Sequence, residues 1–154
     1  MRAVLQRVSS ARVEVDGETT GAIGRGLLVF LGIGHGDGPK ERTYLLEKIL
    51  NVRIFENAER KFDRSLLDVG GELLVVSQFT LYGDLRRGRR PSFDGALPPE
   101  EAEPMYEAFV HEARARGVRV ATGRFRAHMH VSSVNDGPVT LVLDSERLDS
   151  ERSA

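Results

Sequence analysis

Two short stretches, GLLVFLGI at 26–33 and ELLVVSQF at 72–79, constrain the fold more than any other part of the chain. Each opens with a continuous apolar run rather than an alternation. A strand with one wet face alternates apolar and polar residues, whereas a strand that is apolar throughout is covered on both faces. Both runs therefore read as central strands of a sheet. Neither approaches the ~20 apolar residues that a membrane helix needs.

Shorter signals fill in the remainder. Residues 2–8 read as a first strand, and Val13 and Val15 alternate before Asp16-Gly17, a two-residue hairpin turn. KERTYLLEKIL, 40–50, sets Leu45, Leu46, Ile49 and Leu50 at helical spacing. NVRIF returns to an extended pattern, Gly70-Gly71 marks a turn, and 83–97 is a long polar loop. A second helix is expected over 99–116, closed by Gly117, with Pro104 either marking its first turn or kinking it. Residues 118–122, 125–134 and 139–144 read as three more strands. Seven or eight strands and two helices without strict βαβ alternation indicate an α+β fold. We expect a mostly antiparallel, curved, barrel-like sheet with two main helices packed on it, in a single domain. That domain spans 1–145, and a polar tail follows at 146–154.

Of the 154 residues none is cysteine, which removes disulfides, thiol nucleophiles and thiolate metal sites. Arg2, Arg7, Arg12 and Glu14 interrupt the N-terminal segment, so no signal peptide is read there and a cytoplasmic protein is expected. The formal net charge of -1 means that any basic site must be local. One such site exists: Arg86, Arg87, Arg89 and Arg90 stand within five positions, with Tyr82 ahead and Phe93 behind. Guanidinium forks grip phosphates, although the same cluster also suits a solvated loop held by acidic neighbours.

Other candidates are weaker. GIGHGDGPK follows a strand and precedes a helix, but it matches neither phosphate-loop spacing and reads as a connector. His128 and His130, two apart on an expected strand, would face one way and could begin a metal site, but no third ligand is evident. VVSQFTLYGD carries an apolar strand into Ser77, Gln78 and Thr80. These could be turn-makers, or the floor of a small polar pocket where released backbone N–H groups face a substrate oxygen.

SQFTLYGD (77–84), GRRPSF (88–93) and NDGPVT (135–140), in this order, resemble the D-aminoacyl-tRNA deacylase family. The resemblance also takes in MRAVLQRVSSARVEVDGE, KILNVRIFE, LLDVGGELLVVSQFTL and LVLD, and so nearly the whole chain. It implies a homodimeric hydrolase that cleaves the ester between a D-amino acid and the terminal adenosine of tRNA, without cofactor or metal. It also implies that Gly137-Pro138 is a cis peptide, inserted into the partner subunit's site to reject L-amino acids. Ser77, Gln78, Phe79 and Thr80 would form the catalytic pocket, and the arginine cluster, by its charge, makes Arg86, Arg87, Arg89 and Arg90 the candidates for contacting the tRNA. Glycyl-tRNA would be a side substrate, and neither DNA nor membrane is an expected partner. The family usually has a small residue after the phenylalanine at 125, where this chain has Arg126. Two alternatives remain: a non-catalytic RNA-binding module using the arginine loop, and a metal-dependent hydrolase using His128 and His130.

Overall fold

The computed structural model describes residues 1–147. The expected tail at 146–154 falls outside it from residue 148 onward. The strand β1 (Arg2–Val15) turns at Asp16 and Gly17 into β2 (Glu18–Ile23). Both turn residues have positive φ, 50° and 80°, the geometry that matches the twist of the flanking strands. Next come β3 (Gly26–Gly32), α1 (Pro39–Asn51), the short pair β4 (Phe55–Glu56) and β5 (Phe62–Arg64), and a single turn of helix, α2 (Leu66–Val69). The chain continues through β6 (Glu72–Ser77), α3 (Pro99–Ala115), β7 (Val120–Thr122) and β8 (His130–Asp144).

The sheet is mixed rather than mostly antiparallel. β1 pairs antiparallel with β2, β3 and β8, but β3–β6 and β6–β7 are parallel. The reason is the route of the chain. α1 and α3 each carry it back to the end of the sheet where the preceding strand began, so the next strand runs in the same direction. β2 folds over toward β7 and nearly closes the barrel. Gly21 permits this approach, since a Cβ there would stand 2.3 Å from the Thr122 carbonyl oxygen.

Both apolar runs are buried on two sides, as their pattern requires. Leu27, Val29 and Leu31 of β3, with Leu73 and Val75 of β6, face a core completed by Leu45, Leu46, Ile49 and Leu50 of α1 and by Tyr106, Phe109 and Val110 of α3. Leu28, Leu74 and Val76 point the other way, into the curl of the sheet with Val8, Val13, Val15 and Ile23. Each such side chain contributes roughly 1.5–3 kcal/mol on full burial. β1 serves both cores by changing phase. Ala3 and Leu5 belong to the first core, whereas Val8, Ala11 and Val13 belong to the second. The register shift between Val8 and Ser10 is a bulge that inserts the extra residue this requires.

One local expectation is corrected. Residues 125–134 and 139–144 are not two strands: 125–129 is a turn and connector, and β8 runs unbroken from His130 to Asp144. Pro104 lies inside α3, because Pro98 and Pro99 already occupy the helix start. Its missing N–H leaves the Glu100 carbonyl without its usual donor. The helix ends at Gly117, φ +83°, as expected. No helix among the described residues is long and apolar enough to cross a membrane.

The GIGHGDGPK connector has a structural task. The N-terminal ammonium of Met1, wholly buried, donates to Asp37 Oδ1 at 2.6 Å and to Ser145 Oγ at 2.7 Å. Asp37 Oδ2 accepts from the Gly34 N–H at 2.7 Å. One carboxylate thus ties the start of β1 to the loop after β3. Removing one member of a buried pair strands the other, so Asp37→Ala should lower unfolding free energy by about 3 kcal/mol in urea titrations. Unchanged stability would show that the pair contributes nothing.

Candidate functional site

β6 ends where both covering layers end, and its last residues change character there. Val75 and Val76 are buried, Ser77 and Gln78 are half-buried, and Phe79 and Thr80 are exposed. The Gln78 N–H still bonds the Leu31 carbonyl at 2.8 Å, after which the chain winds into a 3₁₀ turn, Phe79–Tyr82. N–H groups at the start of such a turn have no acceptor within it. Phe79 and Thr80 hold these positions. The Gln78 side-chain amide donates to the Thr80 hydroxyl.

Beside this strand end lies a cavity of about 650 Å³, lined by Ser77, Gln78 and Phe79 but not by Thr80. Phe93 meets Phe79 edge-to-face, with ring centroids 5.1 Å apart, and forms one rim with it. Leu97, Pro98, Pro99 and Ala102, leading into and starting α3, form a second wall. The segment Phe125–Met129 forms the third, with Phe125 packed on the buried Tyr106 at 5.7 Å. Tyr106 is held by a 2.7 Å bond to the Val75 carbonyl, and its burial pushes the hydroxyl pKa up. The size and the mostly apolar lining with a few convergent polar groups suit a small organic moiety. A larger groove of about 950 Å³ runs along the charged face of α1 and contains none of these residues.

The arginine loop is a hairpin. Asp84 and Ser92 exchange both backbone hydrogen bonds, at 2.7 and 3.0 Å, and Phe93 carries its base to the cavity rim. Arg86 is engaged locally, gripping Asp84 at 2.7 to 3.1 Å. That grip, with the Arg86 backbone N–H, lowers the Asp84 carboxyl to about 2. Arg87, Arg89 and Arg90 are exposed and have no hydrogen bond or ion pair among the described residues. The predicted phosphate-binding set thus divides: Arg86 shapes the loop and three guanidiniums remain open.

Gly137-Pro138 lies elsewhere. Across the sheet, Ala3 pairs with Leu31 and Leu143, and Leu31 pairs with Ser77. Gly137-Pro138 instead sits in an irregular stretch between the Gln6–Thr140 and Val8–Asn135 pairs. Strand geometry separates the two motifs by on the order of 15–20 Å in one chain. Both residues are exposed, neither lines the cavity, and the peptide between them is cis. Asn135 braces the stretch, accepting from the Val139 N–H at 2.8 Å and donating to Thr140 Oγ1 at 2.9 Å. From beneath, Arg7 donates to the Asp136 carbonyl at 2.8 Å and to the Ile54 carbonyl at 2.8 Å. Gly137 has φ +144°, and a Cβ there would stand 2.8 Å from Val139 Cγ2 and 3.2 Å from Arg7 Nη2. Sequence reasoning missed Arg7. The signal was its register, since it continues the inward series Ala3, Leu5 and is a buried charge where an apolar residue belongs.

The third wall holds the departure at residue 126. The Ala127 N–H bonds the Arg124 carbonyl at 3.2 Å, closing a turn with Arg126 in its third position at φ +64°. Glycine normally occupies that place. The left-handed backbone costs an L-residue roughly 1–2 kcal/mol. The Arg126 guanidinium reaches Glu100 on α3 through Nη1 at 3.2 Å, in a pair 59% and 72% exposed. An exposed pair contributes about 0–1 kcal/mol, so stability does not account for the residue. His128 borders the cavity, and its ring meets that of His130 edge-to-face at 5.2 Å. Among the described residues no group of three His, Cys, Asp or Glu side chains is placed to hold a metal ion.

Comparison with known proteins places these features in a family. The family model described as D-Tyr-tRNA(Tyr) deacylase matches residues 4–144. The chain is 61% identical over 145 residues to a D-aminoacyl-tRNA deacylase of Roseiflexus castenholzii (strain DSM 13941 / HLO8), covering 94% of this chain and 92% of that one. It is 58% identical over 147 residues to a D-aminoacyl-tRNA deacylase of Clostridioides difficile (strain 630), covering 96% and 99% respectively. A solved structure described as c-Myc DNA Unwinding Element Binding Protein is similar at 44% identity and a TM-score of 0.88, over 94% of this chain and 98% of that one. The matched span runs from β1 to the end of β8 and includes the strand end at Ser77, the arginine hairpin and Gly137-Pro138, and on that match the chain belongs to the D-Tyr-tRNA(Tyr) deacylase family.

Proposed function

We propose that this chain hydrolyses the ester of D-aminoacyl-tRNA, releasing free D-amino acid and tRNA. The observation that carries the reading is the cavity at the end of β6, lined by Ser77, Gln78 and Phe79, in a chain 61% identical to a D-aminoacyl-tRNA deacylase. The terminal nucleoside and its aminoacyl group enter the cavity. Water attacks the ester carbonyl, and negative charge develops on the carbonyl oxygen. The N–H group of Phe79 in the lining, with that of Thr80 next to it in the chain, stabilises that oxygen without reorganising. The carbon–oxygen bond to the ribose then breaks, and the ribose oxygen takes a proton.

Thr80 is not the nucleophile in this scheme. Its hydroxyl accepts from the Gln78 amide, and an amide cannot take the proton that an attacking hydroxyl must lose. The neighbouring ribose 2′-hydroxyl of the substrate orients the water instead.

Selection for D-amino acids comes from a second copy of the chain. Gly137 and Pro138 are too far from their own cavity to act there, yet they are exposed and braced. In a two-fold dimer they reach the partner's cavity, and their carbonyls accept from the substrate α-ammonium. With ammonium and ester carbonyl both held, the side chain can leave the α-carbon in only one of two directions. A D-substituent reaches open space and an L-substituent meets main chain. Rejection by backbone ignores side-chain identity. Glycine has no substituent to reject, so glycyl-tRNA is also hydrolysed.

In a direct assay, D-tyrosyl- and glycyl-tRNA should lose their amino acid while L-tyrosyl-tRNA does not, with or without chelator. Binding without hydrolysis would favour the RNA-binding module, and loss of activity with chelator would favour metal chemistry at His128 and His130. Gly137→Ala places a Cβ within 3 Å of Val139 and forces the segment to move. Deacylation of D-tyrosyl-tRNA should then fall at least about tenfold, as expected when backbone that positions a substrate is displaced. Unchanged rate and chirality would remove Gly137-Pro138 from the mechanism, as would a monomer in light scattering. Thr80→Ala should retain activity within about tenfold, less than the loss of a full oxyanion donor. A trapped acyl-enzyme in wild type would restore Thr80 as nucleophile.

A further inference from the structure

We propose that Arg126 grips the phosphodiester that joins the terminal nucleoside of the substrate to the preceding nucleotide, and that Glu100 holds the guanidinium in position until that phosphate arrives. The inference rests on the reading that an aminoacylated RNA end enters the cavity. The cavity can take a nucleoside and an aminoacyl group, but the polynucleotide attached to them must leave through its mouth carrying one negative charge per residue. The lining is largely apolar, and among the described residues Arg126 is its one arginine or lysine. Phe79 and Phe93 form another part of the rim, and the arginine hairpin continues from Phe93. A strand emerging from the cavity therefore passes a lining that carries both an aromatic pair and Arg126.

The geometry of the guanidinium fits such a handover. The contact with Glu100 uses Nη1 alone, at 3.2 Å, and leaves Nε and Nη2 available for the forked grip that phosphate oxygens accept. Both partners are exposed, so exchanging a carboxylate for a phosphate strands no buried charge. The backbone position argues in the same direction. Arg126 stands at φ +64° in a turn place suited to glycine, and its ion pair does not recover that cost. A residue kept against local preference, at the edge of a cavity, is where a functional demand is expected.

Two substrates separate this contact from a general effect on the site: D-tyrosyl-tRNA, and the D-tyrosyl ester of adenosine, which has no phosphate. Arg126→Gly relieves the backbone, so its thermal unfolding should be no lower than that of wild type. The ratio of KM for tRNA to KM for the adenosine ester should widen about tenfold, the worth of a charge-assisted contact, with the change in KM rather than kcat. Arg126→Lys, which keeps the charge and loses the fork, should fall between. The slope of log KM against log salt, read on tRNA alone, should flatten by about 0.7 in Arg126→Gly, the share of one phosphate contact on a single strand. An unwidened KM ratio with an unchanged salt slope overturns the proposal while leaving the deacylase reading intact. Failure of the wild-type chain to hydrolyse D-tyrosyl-tRNA overturns both.

Discussion

Everything in this molecule is arranged around the burial of two neighbouring strands on both faces. β3 and β6 run side by side and parallel, with one set of side chains under α1 and α3 and the other inside the curl of the sheet. Such a pair cannot stop gradually. Where the helices and the curl end together, backbone that was doubly covered becomes open within two or three residues, and its N–H groups leave the ladder. Ser77 to Thr80 occupy that point. The candidate pocket is thus a consequence of the core: the same hydrophobic layering that holds the strands in place produces an abrupt edge at which backbone donors leave the ladder.

A second rigid element is built differently. Gly137-Pro138 projects from an exposed edge of β8, where apolar packing cannot immobilise it. Hydrogen bonds do so instead. The buried guanidinium of Arg7 takes the carbonyls of Asp136 and Ile54, and Asn135 bonds within its own loop. A buried charge costs free energy unless its donors are used, and here they are spent on main chain beside the exposed motif. The strand end is held by burial and the Gly137-Pro138 stretch by polar contacts. The fold holds them apart within one chain.

Charge is distributed with the same economy. The chain is net -1, yet Arg126 lies exposed in the cavity lining and Arg87, Arg89 and Arg90 lie exposed on the hairpin that leads to Phe93 of the same lining. Asp84 and Glu100 are the local counter-charges, one pairing with Arg86 to shape the hairpin and the other holding a rim arginine. A polyanion approaching this surface would meet fixed cations without any basic character in the molecule as a whole.

Local pattern determined which segments are buried and where they turn. Leu27 to Leu31, Leu73 to Val76, the Asp16-Gly17 hairpin, both long helices and the Gly117 cap could be read because each depends on near neighbours in the chain. The motif residues Ser77 to Phe79 could be placed at a strand end for the same reason. Only the tertiary structure decided strand direction, the continuity of β8, the partnership of Arg7 with Asp136 and the joining of Phe125–Met129 to Phe79 and Phe93. Each of these is a relation between segments far apart in the chain. Periodicity records whether a side chain is covered, and carries no information about which distant backbone covers it.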